Sequence, residues 1–232
     1  MINVYNIDGE GIDFSDYIKK EDFPDRLSGH TWSVIGDSIS TVGAYVDKHY
    51  WTFMEERHNN LITHIYADHG RKISDFVNIY SNINYSDIIT VFGGVNDFGQ
   101  NVQIGTITDA SANTFYGAMN MLCNGLATTF PKSLIIFITP LGNHDSPYIS
   151  ADVVNDLGLT IYDYATAMKR VCENFKIPVV DICSNSLLNP YINNQSSLYF
   201  VDGLHLNEFG HEVLSWMLET EILSHYIPTV SA

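Results

Sequence analysis

The chain has 232 residues, of which 45% are hydrophobic and 16% are charged. This is enough apolar material for one sizeable core, and α/β folds of this length commonly form a single domain. The net charge of −16 and the isoelectric point near 4.6 argue against nucleic acid and anionic membrane surfaces as partners, because both are bound through clustered lysine and arginine. No apolar run approaches the roughly 20 residues that a membrane-spanning helix needs.

Five short apolar segments predict the strands of a parallel sheet, since strands buried on both faces are apolar at nearly every position. In chain order they are TWSVI (31–35), LITHIY (61–66), DIITVF (87–92), LIIFIT (134–139) and IPVVDI (177–182). Segments with helical periodicity separate or follow them, at 45–56, 111–129, 159–174 and 208–224. This alternation predicts a doubly wound α/β fold, a three-layer α/β/α sandwich around a mostly parallel five-stranded sheet.

Residues 1–28 are acidic and irregular, unlike the rest of the chain. We predict an N-terminal arm over 1–28 and one domain over 29–232, with the arm packed across the domain surface in preference to docking another protein. The first residues lack a basic segment followed by an apolar one, so no signal peptide is predicted. Cys123, Cys172 and Cys183 are widely spaced, which indicates thiols in a reducing compartment, by default the cytoplasm, and no disulfide framework.

Candidate functional residues follow four of the predicted strands, at the point where each strand ends. They are Ser38 in VIGDSIS, Gly70 in ADHGRK, Asn96 in FGGVNDFG and His144 in TPLGNHDSP. Ligands of open parallel sheets bind beyond the carboxyl ends of the strands, so this edge is where we expect a site. Ser38 is either a nucleophile or a turn residue, and the pair His144–Asp145 either lines a substrate pocket or forms a loop tip.

Asp202 and His205 lie three residues apart in VDGLHLNEFGHEVL (201–214), just before a predicted helix. In a loop or a first helical turn, this spacing lets both side chains point to one side. The carboxylate can then hold the imidazole in the tautomer whose free nitrogen accepts a serine proton. Because the chain has nine histidines, this segment alone leaves open that Asp202 caps a turn and His205 is an ordinary polar residue.

Three groups are candidate donors to a developing oxyanion. Ser38 is predicted to begin a helix, so that its N–H would point toward an incoming anion. Gly70 can offer a backbone N–H, and Asn96 can offer an amide from a loop whose glycines let the backbone approach a ligand. Taken singly, Gly70 also fits a simple turn and Asn96 a loop cap.

The motifs together are more specific than any one of them. They are GDSIS (36–40), a glycine after the second strand, GGVND (93–97) and DGLH (202–205). In this order and spacing they resemble the SGNH hydrolase family, also called GDSL esterases and lipases. The resemblance covers about residues 31–225 and implies a flavodoxin-like α/β/α sandwich of the SGNH type.

The resemblance also implies roles for single residues. Ser38 would be the nucleophile, His205 the general base and then the general acid, and Asp202 the carboxylate that orients His205. The oxyanion hole would consist of the Ser38 N–H, the Gly70 N–H and the Asn96 side chain. The family chemistry implies no metal and no cofactor.

Two further residues, Asp37 and Asp97, match family positions, and we expect them to shape turns. The second motif departs from the family pattern, because many members have a segment like Asn-Tyr-Gly-x-x-Gly-x-Thr where this chain has HIYADHGRK (64–72). Arg71 and Lys72 follow Gly70 there, which puts the role of Gly70 in question and predicts a narrowed or charged site rim. The chain has no GxSxG motif, which disfavours the ordinary α/β-hydrolase arrangement.

Other features favour plainer interpretations. The pairs His64 with His69 and His205 with His211 lack zinc spacing with a third ligand nearby, so no metal is predicted. The aromatic segment YVDKHYW (45–51) is interpreted as a helix packing face in preference to a sugar-stacking surface. A site for the phosphate of FMN at GDSIS would leave GVND and DGLH without a role.

The sequence therefore predicts a serine esterase that hydrolyses carboxylic esters by acyl transfer. Short acyl groups, such as acetyl, on a carbohydrate or small ester are the expected substrates, since the chain has no long apolar lid. The whole chain resembles SGNH proteins of Gram-positive bacteria and their phages. Two alternatives stay open: an acyltransferase in which a sugar hydroxyl replaces water, and a non-catalytic binding or assembly module attached through residues 1–28.

Overall fold

The computed structural model describes residues 25–142 and 153–225. Its strands are β1 (Thr31–Gly36), β2 (Ile62–Ala67), β3 (Ile88–Phe92), β4 (Leu134–Ile138) and β5 (Val179–Val180). They form one parallel sheet in the order β2-β1-β3-β4-β5. The strand order reverses between β1 and β3, and the crevice outside the carboxyl ends at such a switch point is where ligands bind in this kind of sheet.

The helices cover both faces of the sheet. They are α1 (Tyr50–Arg57), α2 (Ile73–Ile79), α3 (Val95–Gly99), α4 (Phe115–Thr129), α5 (Ile161–Phe175), α6 (Asn193–Tyr199) and α7 (Glu208–Ser224). One hydrophobic core joins the sheet to α1 and α7, and a second joins it to α2, α4 and α5. The predicted three-layer α/β/α sandwich is confirmed.

The central strand β3 shows how the sequence builds these two cores. Ile88 and Phe92 belong to the core under α1 and α7, whereas Ile89 and Val91 belong to the core under α4. Successive side chains of a strand point to opposite faces, so a strand between two helical layers must be apolar at almost every position. The exception is Thr90, which is buried and accepts a hydrogen bond at 2.9 Å from the indole N–H of Trp32.

Several predicted bounds were wrong. The helix predicted over 45–56 begins only at Tyr50, and the strand predicted over 177–182 is reduced to two paired residues. Strand β2 is half-buried and not buried on both faces, because it is the edge strand. The short helices α2, α3 and α6 were not predicted, since segments of five to seven residues carry too few turns for a periodic signal.

The last residues of the predicted arm are part of the folded domain. Leu27 is buried in the core under α1 and α7. The Arg26 guanidinium donates to the carbonyl oxygen of Leu223 at 2.6 Å, near the end of α7. Asp25 lies 2.7 Å from the imidazole of His58. Residues 1–24 lie outside the described residues, so the arm and the domain boundary stay predictions.

No helix within the described ranges is both long enough and apolar enough to cross a membrane.

Candidate active site

The loop that carries Ser38 leaves the sheet at the carboxyl end of β1. Residues 37–41 form a turn and not the predicted helix, since the Ser40 N–H donates to the Asp37 carbonyl at 3.0 Å and the pattern does not continue. The prediction that Ser38 begins a helix was therefore wrong, and a helix dipole does not act on its N–H. The Asp37 side chain accepts from the Ile39 N–H at 3.1 Å, as expected of a turn-forming carboxylate.

His205 and Asp202 lie in the loop before α7. Gly203 has a φ of 85°, a left-handed conformation that suits glycine and lets the loop fold back on itself. The Val201 N–H then donates to the His205 carbonyl at 2.8 Å. Two residues after His205, the Asn207 side chain accepts from the Gly210 N–H at 3.0 Å and caps α7. The loop is therefore tied down on both sides of His205.

Asp202 bonds His205 in two places. Its Oδ2 lies 2.7 Å from the ring Nδ1, and its Oδ1 accepts from the His205 backbone N–H at 2.7 Å. The Leu204 N–H donates to the same Oδ1 at 3.0 Å. Partial burial of Asp202 acts to raise its pKa, but the hydrogen bonds from the His205 side chain and from these backbone N–H groups outweigh burial and lower the pKa below its usual value. An ionised Asp202 only accepts, so Nδ1 carries a proton.

The structure brings Ser38 and His205 together across 167 residues of sequence. The Ser38 Oγ lies 2.9 Å from His205 Nε2, and both residues are nearly buried, with 8% and 7% of their surfaces exposed. Because Asp202 holds the proton on Nδ1, the Nε2 lone pair faces the serine hydroxyl. The arrangement can move a proton from Ser38 to His205 as the serine oxygen attacks an electrophile.

Asn96 lies in α3, directly after β3, beside the turn that carries Ser38. Its side-chain Nδ2 donates to the Arg71 carbonyl at 3.0 Å and to Asp37 Oδ2 at 3.3 Å. The Arg71 bond fixes the orientation of the amide. The Asp37 bond is long, and an anion that arrives at Ser38 can compete for that hydrogen.

Gly70 lies in the turn between β2 and α2 and has a φ of 71°. It is exposed, and its carbonyl oxygen accepts from the Gln100 side chain at 3.0 Å. Its neighbour Arg71 contacts Asn96, so the turn reaches the same edge of the sheet as Ser38. The use of the Gly70 N–H as an oxyanion donor stays a prediction.

Comparison with known proteins identifies the family of the chain. The model of the GDSL-like lipase/acylhydrolase family matches residues 34–213, from β1 into α7. The chain belongs to this family. The predicted resemblance to SGNH hydrolases is thereby confirmed, while the roles of single residues stay proposals. Among curated proteins, no significant match was found.

Several solved structures share the fold. A Lactobacillus plantarum protein is 28% identical with a TM-score of 0.79, over 87% of this chain and 100% of its own. A possible lipase from Chitinophaga pinensis is 22% identical with a TM-score of 0.70, over 84% and 98% of the two chains. An acetyl xylan esterase is 17% identical with a TM-score of 0.62, over 82% and 98%. At 22% and 17% identity, the similarity to the last two proteins shows a shared fold and no more.

Tyr45 lies at the site, although the helical periodicity of 45–56 predicts it on the packing face of a helix. In the structure it precedes α1, in a loop, with its ring stacked on the His205 imidazole at 3.6 Å between centroids and an interplanar angle of 14°. Its φ of 65° is a left-handed conformation, which costs a non-glycine residue about 1–3 kcal/mol. The only local signal against a helix is the turn-forming pair Gly43 and Asp47.

Asp37 and Asp97 are buried carboxylates behind the site. Burial raises the pKa of Asp37 to about 7, against hydrogen bonds from the Ile39 N–H and the Asn96 amide. Burial also raises the pKa of Asp97 to about 7, and the nearby charge of Asp37 adds to this effect. Asp97 Oδ2 accepts from the Ile73 N–H at 3.1 Å, whereas its Oδ1 has no hydrogen-bond partner among the described residues.

This burial predicts a pH-dependent stability. The pKa of Asp97 is higher in the folded protein than in the unfolded chain, so the folded protein keeps this proton to a higher pH. The free energy of unfolding therefore falls as pH rises from about 4 to about 7. In Asp97→Asn, which keeps the shape without the charge, we expect the fall between pH 5 and pH 8 to shrink by about 2 kcal/mol. Urea unfolding at both pH values measures this. Asp156→Asn, at an exposed carboxylate, is the control, and an equal fall in Asp97→Asn and wild type would contradict the prediction.

The remaining predictions concern metal binding and the loop after β4. Within residues 25–142 and 153–225, no three His, Cys, Asp or Glu side chains are arranged to hold a metal ion. His144 and Asp145 lie outside the described residues. A cavity of about 110 Å³ beyond the ends of β4 and β5 is lined by residues that include Gly142, Cys183 and Tyr191, and none of the predicted site residues lines it.

Proposed function

We propose that the protein is a carboxylic ester hydrolase in which Ser38 is the nucleophile, His205 the base and Asp202 its orienting carboxylate. The observation that carries this proposal is the chain of two short contacts, 2.9 Å from Ser38 Oγ to His205 Nε2 and 2.7 Å from His205 Nδ1 to Asp202 Oδ2. Membership of the GDSL-like lipase/acylhydrolase family supports it. An imidazole held in this tautomer presents a lone pair to the Ser38 hydroxyl, as a general base for a serine nucleophile requires.

In the acylation half of the reaction, His205 Nε2 takes the Ser38 proton while Oγ bonds to the ester carbonyl carbon. The carbonyl oxygen becomes an oxyanion, for which the Asn96 amide and the Ser38 and Gly70 N–H groups are the proposed donors. The imidazolium then gives its proton to the leaving alcohol as the bond from the carbonyl carbon to that oxygen breaks. The acyl group is left on Ser38.

In the deacylation half, water takes the place of the alcohol. His205 Nε2 accepts a proton from water as its oxygen attacks the acyl carbon, and then returns the proton to Ser38 Oγ as the acid leaves. Asp202 stays ionised throughout, because its lowered pKa keeps it a carboxylate at neutral pH. Its negative charge stabilises each imidazolium that forms.

Short acyl groups, acetyl first, on a carbohydrate or a small ester are the proposed substrates. An acetyl xylan esterase shares the fold over 82% of this chain, which supports an acetyl ester of a sugar without identifying the sugar.

A series of esters tests the substrate class. We expect kcat/KM for p-nitrophenyl acetate to exceed that for the octanoate by about tenfold or more, since a site shaped for a small acyl group gains nothing from extra methylenes. We also expect release of acetate from acetylated xylan by the wild type and none by Ser38→Ala. Preference for the octanoate would contradict the acetyl substrate, and no hydrolysis of any ester would contradict the esterase.

A further inference from the structure

Tyr45 lies in the segment between the Ser38 turn and α1, which carries little of the core. Half of the Tyr45 surface is exposed, and its neighbour Val42 is 65% exposed. The Trp51 indole N–H donates to the Ser40 carbonyl at 3.2 Å and joins the two ends of the segment, while the Val46 N–H donates to the Ala44 carbonyl at 2.8 Å and closes a tight turn of the backbone at Tyr45. The side chain of Tyr45 is therefore not needed to fill the interior of the protein.

The two rings that Tyr45 contacts both belong to the sheet edge where Ser38 lies. It stacks face to face on His205 at 3.6 Å and meets His69 edge-on at 6.1 Å. A left-handed φ at a bulky residue persists only where the surroundings hold it, and such residues cluster at functional sites. The stack on the imidazole is the one evident side-chain interaction that offsets the unfavourable backbone conformation of Tyr45 and the exposure of its ring.

We propose that Tyr45 is a positioning residue for His205: its ring fixes the plane of the imidazole and stabilises the imidazolium that forms when Ser38 loses its proton. This rests on the proposed function, because it concerns the same proton transfer. A cation over an aromatic face is attracted by the negative face of the ring, most strongly where water is partly excluded. Asp202 fixes one edge of the imidazole, and Tyr45 fixes the face that Asp202 leaves free.

Two effects of the stack oppose each other. The Tyr45 ring excludes water from one face of His205, which disfavours the imidazolium. The quadrupole of the same ring attracts the positive charge and favours the imidazolium. The imidazolium is hydrated mainly through its two N–H groups, and these are already engaged by Asp202 and Ser38. Little hydration is left for Tyr45 to remove from the ring face, so the attraction is the larger effect.

Several titratable groups lie around His205 and Tyr45. On its own loop it faces Asp202, and from α7 it faces the buried His211. Burial, followed by the nearby His49 and His205, lowers the pKa of His211 to about 3, so His211 stays neutral between pH 5 and 8. His69 touches only the outer edge of Tyr45. Asp37 and Asp97 titrate in the same range, since burial raises the pKa of each to about 7. Both are unchanged in every Tyr45 variant, so a shift that depends on the Tyr45 ring and persists without His69 is assigned to the imidazole on which that ring stacks.

The test follows the rate at which a small fluorophosphonate labels Ser38, and kcat and KM for p-nitrophenyl acetate, from pH 5 to 8. In Tyr45→Ala and Tyr45→Gly we expect the plateau values of the labelling rate and of kcat to fall about 5- to 30-fold. The midpoint of the pH profile should move about 0.5 to 1 unit lower. In Tyr45→Phe, which keeps the stacked face, the plateau values and the midpoint should stay near those of the wild type. Tyr45→Gly also relieves the left-handed backbone, so equal losses in Gly and Ala assign the effect to the ring.

Matched variants separate this proposal from its alternatives. Tyr85→Ala, at an exposed tyrosine ahead of β3, should change neither rate nor midpoint. The shift caused by Tyr45→Ala should persist in a His69→Gln background. A fall in rate with an unmoved midpoint, or a raised KM with unchanged kcat, would overturn the positioning role. Absence of any labelling of Ser38 in the wild type would instead refute the proposed function.

Discussion

Ser38→Ala should lower kcat for ester hydrolysis by about 10⁴- to 10⁶-fold, and His205→Ala should lower it by a similar factor. The alanine at 38 has no oxygen to carry the acyl group, and without His205 the hydroxyl keeps its proton when the ester binds. Because the two side chains act as one unit through a 2.9 Å contact, the double variant should be no slower than either single one. Initial rates with p-nitrophenyl acetate measure all three.

The control for this prediction is Ser224→Ala, at an exposed serine in the last turn of α7. It should keep the full rate, and thermal unfolding should show that Ser38→Ala and His205→Ala remain folded. Multiplied losses in the double variant would indicate that the two residues act independently. Substantial turnover in either folded single variant would contradict the proposed chemistry.

Asn96→Ala should lower kcat by about 10²- to 10³-fold, the usual effect of removing one donor from an oxyanion hole. The amide stabilises a negative charge that develops on the substrate oxygen only in the transition state, so KM should change little. The same side chain holds the Arg71 carbonyl at 3.0 Å, and its removal could displace the turn that contains Gly70. Asn96→Asp keeps the size of the side chain but cannot donate, and it should be at least as slow.

Asn78→Ala is the matched control for Asn96, because the Asn78 amide is exposed and donates to the Ser74 carbonyl within its own helix at 3.2 Å. It should leave kcat unchanged. Full activity in Asn96→Ala would show that the oxyanion lies elsewhere. A rise in KM alone would assign Asn96 to substrate binding and not to the transition state.

The layered fold could be predicted because its signals are local and repeated. Strands such as β3 are apolar on both faces, and α7 shows helical periodicity over its whole length, from 208 to 224. Ser38 and Asn96 lie at the predicted edge of the sheet, since parallel strands carry their following loops to the same side. These features depend on a few neighbouring residues each.

The remaining features depend on contacts between distant residues or on rare backbone conformations. Tyr45 fits a helical period, and only its left-handed φ and its stack on His205, 160 positions away, remove it from α1. The raised pKa of Asp37 and of Asp97 results from burial by several elements at once, which no local pattern records.

The central claim is that an activated nucleophile exists at Ser38, and the most direct test is the intact mass of the protein after treatment with a fluorophosphonate. This probe needs the serine and its base but no knowledge of the substrate. We expect one adduct on the wild type, located on Ser38, and none on Ser38→Ala. A folded wild-type protein that gains no adduct, or a Ser38→Ala variant that gains the same one, would contradict the account.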